Sequence, residues 1–180
     1  MPLEEIVLPI TKPETEWVRG RALVKMSPTR DHSRVQTQFA IALSSWADGR
    51  GEVGTEWRFR IAVPGEVRRP LVPDVSFVEA DALRGVSHED IQVPAFAPTV
   101  AVEVLSRGDL MADVASKIDV YLRGGSRLAI VIDPRKRTLV AHDAETVSEF
   151  ASCDGFTHPA LPDFRLELGP FFARALDLTT

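Results

Sequence analysis

Apolar residues recur along the chain in distinct rhythms, and each rhythm predicts a different element. Val35, Phe39, Leu43 and Trp46 repeat at helical spacing, which predicts a helix from about Asp31 to Ala47, stopped by Asp48-Gly49. In EWRFRIAV, Trp57, Phe59, Ile61 and Val63 alternate with polar or small residues, the mark of a half-buried strand. LVPDVSFVE and PTVAVEVLS repeat that alternation, but each carries an acid in the middle of the strand. Val75 and Phe77 point one way while Asp74 and Ser76 point the other, and Glu103 lies with Ala101 and Leu105 opposite Val100, Val102 and Val104. RLAIVID is a continuous apolar run, the pattern of a strand central in a sheet.

Between these strands, Asp109 offers an N-cap and Gly124-Gly125 a stop for a helix whose apolar stripe is Leu110, Val114, Ile118 and Leu122. Asp113, Lys117 and Tyr121 recur every fourth residue and so line one adjacent face of it. An extended pair is predicted from Glu16 to Lys25, ending at Ser27-Pro28, and DPRKRT turns RLAIVID into the strand TLVAHD. From Glu145 onward the chain reads as a short strand, a Pro-rich loop and a final apolar segment, LGPFFARALDL, suited to a short helix. No repeat or long linker interrupts the pattern, so an α/β (α+β) fold forming a single domain over residues 1–180 is expected.

Composition narrows the setting. With 44% hydrophobic residues among 180 the chain can bury a core, and no apolar run approaches the roughly 18 residues that span a bilayer. The segment MPLEEIVLPI is acidic and lacks a basic leader, and the lone Cys153 can form neither an internal disulfide nor a zinc pair. A reducing, cytoplasmic setting is expected. The net charge of −5 argues against long-range attraction of the whole chain to nucleic acid. Basic residues nevertheless cluster at Arg58-Arg60, Arg68-Arg69, Arg84 and Arg135-Lys136-Arg137, as phosphate-binding patches or as solvated turns. His88, His142 and His158 lack metal-ligand spacing, and Trp17, Trp46 and Trp57 fit apolar core patterns.

Asp74 and Glu103 are the chemically demanding residues, because an ionised carboxylate within an apolar strand costs several kcal/mol unless something compensates it. A divalent cation would do so, since magnesium takes one or two carboxylates and fills its remaining positions with water and phosphate. Lys117 could add a cation that stabilises charge developing on a phosphate. The alternatives are acids at strand edges paired with arginines, or the two carboxylates of a glycosidase, which leaves Lys117 without a role.

In order and spacing, KMSPTRDHSRVQ, VPDVSFVE, VAVEVLSRGD, DVASKIDVYLRGG and RLAIVIDPRKRTLVAHD resemble the Uma-two family of restriction-endonuclease-like proteins, from roughly Trp17 to His142. The resemblance implies a PD-(D/E)xK nuclease fold, a mixed central sheet flanked by helices. It also implies an endonuclease that hydrolyses DNA with Mg2+ or Mn2+, and a homodimer. Asp74 matches the PD aspartate and Glu103 the central acid, the two metal ligands. Leu105 stands where the superfamily usually has lysine, and Lys117 on the following helix takes that catalytic part. Asp113, Tyr121, His32 and Gln36 match further family positions with supporting roles. Family members commonly carry an acid in a DGEL-like segment before the MSP turn. Here Arg21 or Ala22 stands there, which implies a weaker metal site or the exclusion of a second ion, with Glu16 as the candidate substitute. The rival reading is a nucleic-acid- or protein-binding module that keeps the fold without efficient cleavage.

Overall fold

The computed structural model describes residues 4–178. A hairpin of β1 (Thr15–Val18) and β2 (Arg21–Val24) leads into helix α1 (Arg30–Ala47), whose first turn is capped by the Thr29 side chain. Next come β3 (Gly51–Thr55), β4 (Phe59–Ile61), β5 (Arg69–Leu71) and β6 (Val75–Glu79), then the short helices α2 (Ala80–Leu83) and α3 (His88–Gln92). Strand β7 (Val100–Val104), helix α4 (Met111–Arg123) and strand β8 (Leu128–Asp133) form one crossover unit. The chain closes with β9 (Thr138–His142), β10 (Val147–Phe150), β11 (Gly155–His158), β12 (Leu161–Glu167) and α5 (Leu168–Leu176).

Six strands form the central sheet in the order β10-β9-β8-β7-β6-β3. Only β7 and β8 run parallel, because α4 carries the chain back to the edge from which β7 began, whereas the other neighbours in this sheet pair antiparallel. The result is a mixed sheet flanked by helices. Alternation along its strands divides the interior into two cores. Val75, Phe77, Val100, Val102, Leu128 and Ile130 pack toward α1, α5 and the β11–β12 hairpin. Val78, Ala101, Ala129 and Val131 face α4 together with Phe59, Ile61 and Leu71 of the β4–β5 ribbon. Asp74 and Glu103 have the parity of the second set, so both lie on the α4 side.

Four local features differ from the pattern-based expectation. GEVGT has no apolar alternation, yet it forms the sheet edge β3, where a Cβ on Gly51 would lie 2.1 Å from the Val78 carbonyl oxygen. EWRFRIAV yields only the three-residue β4, which pairs with β5 outside the central sheet. Helix α4 starts at Met111, and Asp109 instead accepts the Ser106 N–H at 2.7 Å, closing the loop before the helix. The Pro-rich stretch is a loop only at Pro159, in the turn between β11 and β12, whereas Pro162 lies within β12, paired only with β11. Among the described residues no helix is long and apolar enough to cross a membrane.

Phe39 is fully buried on α1, with its ring 6.3 Å from Phe164 and 6.2 Å from Phe171. It joins the helix to both C-terminal elements. Phe39→Ala is expected to cost about 3–5 kcal/mol in urea unfolding, and a loss below about 1 kcal/mol would show that this contact does not organise the core.

Candidate functional site

The register of the sheet brings the two acids side by side. Val75 pairs with Val102, so Asp74, one residue before β6 and not in mid-strand, lies next to Glu103 on β7. Asp74 Oδ2 accepts the backbone N–H of Val104 at 2.7 Å, which pins the carboxylate across the strand gap. Helix α4 then packs over Glu103 with two side chains one turn apart. Lys117 Nζ donates to Glu103 Oε2 at 2.6 Å, and the Tyr121 hydroxyl donates to Oε1 at 2.7 Å. Leu105, at the usual lysine position, is partly buried against the α4-side core, so the ammonium arrives from the helix instead.

The first helix and the hairpin complete the arrangement. His32 Nε2 lies 3.3 Å from Asp74 Oδ2, and its Nδ1 is buried without a partner among the described residues. Gln36, one turn on, donates to the Asp74 backbone carbonyl at 2.8 Å and to Glu56 Oε1 at 3.1 Å. Glu16 on β1 is almost fully buried, accepts the Val72 N–H at 2.7 Å and receives Lys117 Nζ at 2.9 Å. Lys25, just past β2, donates to Asp74 Oδ1 at 2.7 Å and to the Val72 carbonyl at 2.8 Å, with Glu56 at 3.2 Å. Glu16, Lys25, His32, Asp74, Glu103 and Lys117 all line one cavity of about 210 Å³.

Of the residues singled out from sequence, Asp74, Glu103, Lys117, Tyr121, His32 and Gln36 come together. Asp113 does not join them. It stands at the cavity edge, where its carboxylate holds Arg21 at 2.6 Å and Arg19 at 3.3 Å across the hairpin turn. Lys25 and Glu56 were not foreseen: Lys25 ends an extended segment and Glu56 turns a corner with φ 52°, so neither belongs to a periodic pattern. Glu16, the candidate substitute for the missing acid, is buried with Val18 on β1 while Trp17 is only half-buried. The basic clusters are spent largely inside the chain. Arg58 pairs with Glu14, Arg60 with Glu5, Arg69 with Glu66, Arg84 with Asp81 and Arg137 with Asp177.

Burial and charge push the two acids in opposite directions. Burial disfavours ionised Asp74, but the Lys25 charge and the hydrogen bond from His32 outweigh it and hold its carboxyl well below the usual range. Burial raises Glu103 to about 7, and the charges of Asp74 and Glu16 reinforce it against the attraction of Lys117. Burial also opposes the charges of Lys25 and Lys117, and their carboxylate neighbours outweigh it, so both are held above the ordinary lysine value. Burial and then the charge of Glu103 push Tyr121 well above its ordinary value, which keeps it a neutral hydrogen-bond donor.

Asp74 and Glu103 supply hard oxygen donors of the kind and number that suit a magnesium-type ion keeping several waters. Among the described residues no group of three or more His, Cys, Asp and Glu side chains is disposed to hold a metal ion. Two carboxylates are what the pair offers such an ion, and their oxygens here are engaged by Lys25, Lys117 and Tyr121.

The mixed sheet flanked by helices is a restriction-endonuclease-like architecture. The chain belongs to the Uma2 family, described as "Putative restriction endonuclease", which it matches over residues 5–169. Among solved structures it is similar to a crystal structure from Anabaena variabilis described as "a putative nuclease belonging to DUF820". The TM-score is 0.83 at 22% identity, covering 94% of this chain and 95% of that one, a likeness of fold. No curated protein matches the chain.

The raised Glu103 pKa makes the stability of the fold depend on pH. A carboxyl whose folded pKa lies above its unfolded value favours the fold when protonated, and that contribution disappears as pH rises from 4.5 through about 7. Glu103→Gln is therefore expected to gain stability relative to the parent across that interval, levelling off above it. Urea unfolding at a series of pH values in chelator measures the difference, and a gap that narrows with rising pH would contradict the assignment.

Proposed function

We propose that the protein is a magnesium- or manganese-dependent endonuclease that hydrolyses DNA phosphodiesters, with Asp74 and Glu103 as metal ligands and Lys117 as the catalytic cation. One observation carries this reading: two acids from adjacent strands and a lysine from the crossover helix line the same cavity, within a family described as "Putative restriction endonuclease". Bound between the acids, the ion would supply the Lewis acidity that activates water and neutralises charge on a scissile phosphate.

The chain's own residues perform the remaining tasks. Lys25 and His32 keep Asp74 ionised, and the Val104 N–H holds its carboxylate in place. Tyr121 fixes Glu103 by one oxygen. Lys117 bridges Glu103 and Glu16 at the cavity wall, where its ammonium can stabilise charge building on phosphate oxygens as the phosphorus–oxygen bond breaks. Glu16 thus supplies a carboxylate beside the centre although Arg21 turns away to Asp113. A second reading, a binding module without efficient cleavage, draws support from carboxylates already neutralised by ammonium groups.

Cleavage of DNA and RNA substrates in magnesium, manganese and chelator separates the two readings. Glu103→Gln is expected to keep the fold and lose at least about 100-fold in both ion affinity and cleavage. Lys117→Met keeps both carboxylates, so calorimetry should still detect ion binding while turnover falls about 100-fold. Undiminished magnesium affinity in Glu103→Gln, or parental turnover in Lys117→Met, would leave the binding module as the better account.

A further inference from the structure

Lys25 is held differently from an ordinary ion-pair partner. Its side chain is only 14% exposed, and its three ammonium hydrogens face acceptors from two separate segments. Asp74 Oδ1 lies at 2.7 Å, the Val72 carbonyl at 2.8 Å and the Glu56 carboxylate at 3.2 Å. Two carboxylates and a backbone carbonyl are also the ligand set of a hard divalent cation, calcium in particular, which tolerates irregular oxygen cages. Gln36 braces this cage from outside by donating to both Glu56 and the Asp74 carbonyl. The cage shares Asp74 with the pair formed with Glu103, so its occupant lies immediately beside the proposed metal centre.

We infer that the Lys25 ammonium stands in the place of a second divalent ion, making this a centre for one exchangeable ion with a tethered cation beside it. Charge balance supports the assignment. Around the cage, Asp74 and Glu56 are already matched by the Lys25 ammonium, with His32 beside Asp74, so little negative charge is left there for a further ion. A second ion would overcharge the site while Lys25 remains in it. Nucleases with paired ions place a cation on each side of the phosphate. Here the second positive charge belongs to the chain and needs no ion from solution. This consequence for catalysis rests on the metal-dependent reading above, whereas the identity of the cage does not.

Counting ions tests the cage. Lys25→Ala empties it, and Lys25→Arg retains a cation there. Manganese titration by calorimetry, with free ion followed by electron paramagnetic resonance, is expected to show one more ion per chain in Lys25→Ala than in the parent and no gain in Lys25→Arg. Adding Glu56→Gln to Lys25→Ala should remove the extra ion. Equal counts in parent and Lys25→Ala, or an extra ion that survives Glu56→Gln, would overturn the inference. If Lys25→Ala is destabilised in chelator, thermal unfolding with and without manganese decides: a larger rise in Tm than the parent's supports the cage, and an equal or smaller rise overturns it. A parent that binds no manganese, beside a variant that binds one, would sink the nuclease reading and leave the cage standing.

Discussion

A carboxylate removed from water must find replacements for every hydrogen bond it gives up, and at Asp74 those replacements tie together much of the molecule. One oxygen takes the Val104 N–H from the neighbouring strand and faces His32 of α1; the other takes Lys25 from beyond the hairpin. Each donor comes from a different element. The positions of α1, the hairpin and the β6–β7 pair are thus coupled through one side chain, and a shift of any of them would strand a buried charge at a cost of several kcal/mol.

The crossover through α4 does the same for Glu103. Because β8 runs parallel to β7, the helix between them must cross the face on which Glu103 lies, and its four-residue period sets Lys117 and Tyr121 on the two oxygens of that carboxylate. Val114, Ile118 and Val120 bury the same helix against Ala101, Ala129 and Val131, so apolar packing determines where the ammonium arrives.

Such a network is poor design for stability alone. Buried ion pairs return little more than their desolvation costs, and apolar residues of similar volume would often serve a fold as well or better. Glu16, Asp74, Glu103, Lys25 and Lys117 lie together at a cavity, each satisfied by groups that also restrain its geometry. The fold accepts this cost at one cavity, while both cores elsewhere are apolar. The acidic net charge and the internal pairing of Arg58, Arg60, Arg69, Arg84 and Arg137 point the same way, since they leave the cavity, and not a general basic surface, as the distinctive feature.

Local rhythm in the sequence determined the elements that carry the central acids and their helix: α1, the strand of Glu103, the spacing of Lys117 and Tyr121, and the apolar β8. Periodicity reports how one segment divides between inside and outside, and these segments divide cleanly. It says nothing of which segment lies across the gap. Edge strand β3 has too little apolar surface to announce itself, and the β4–β5 ribbon has the rhythm of a sheet strand without a place in the central sheet. Lys25, Glu56 and Glu16 reach the site from segments tens of residues away, joined to it by hydrogen bonds that exist only after β1, α1 and β6 have packed. Glu103 could be read from the chain because it interrupts an apolar strand, Asp74 because it directly precedes one, and Lys117 from its helical spacing; Lys25 was decided by tertiary structure, because charge is balanced between elements and not along them.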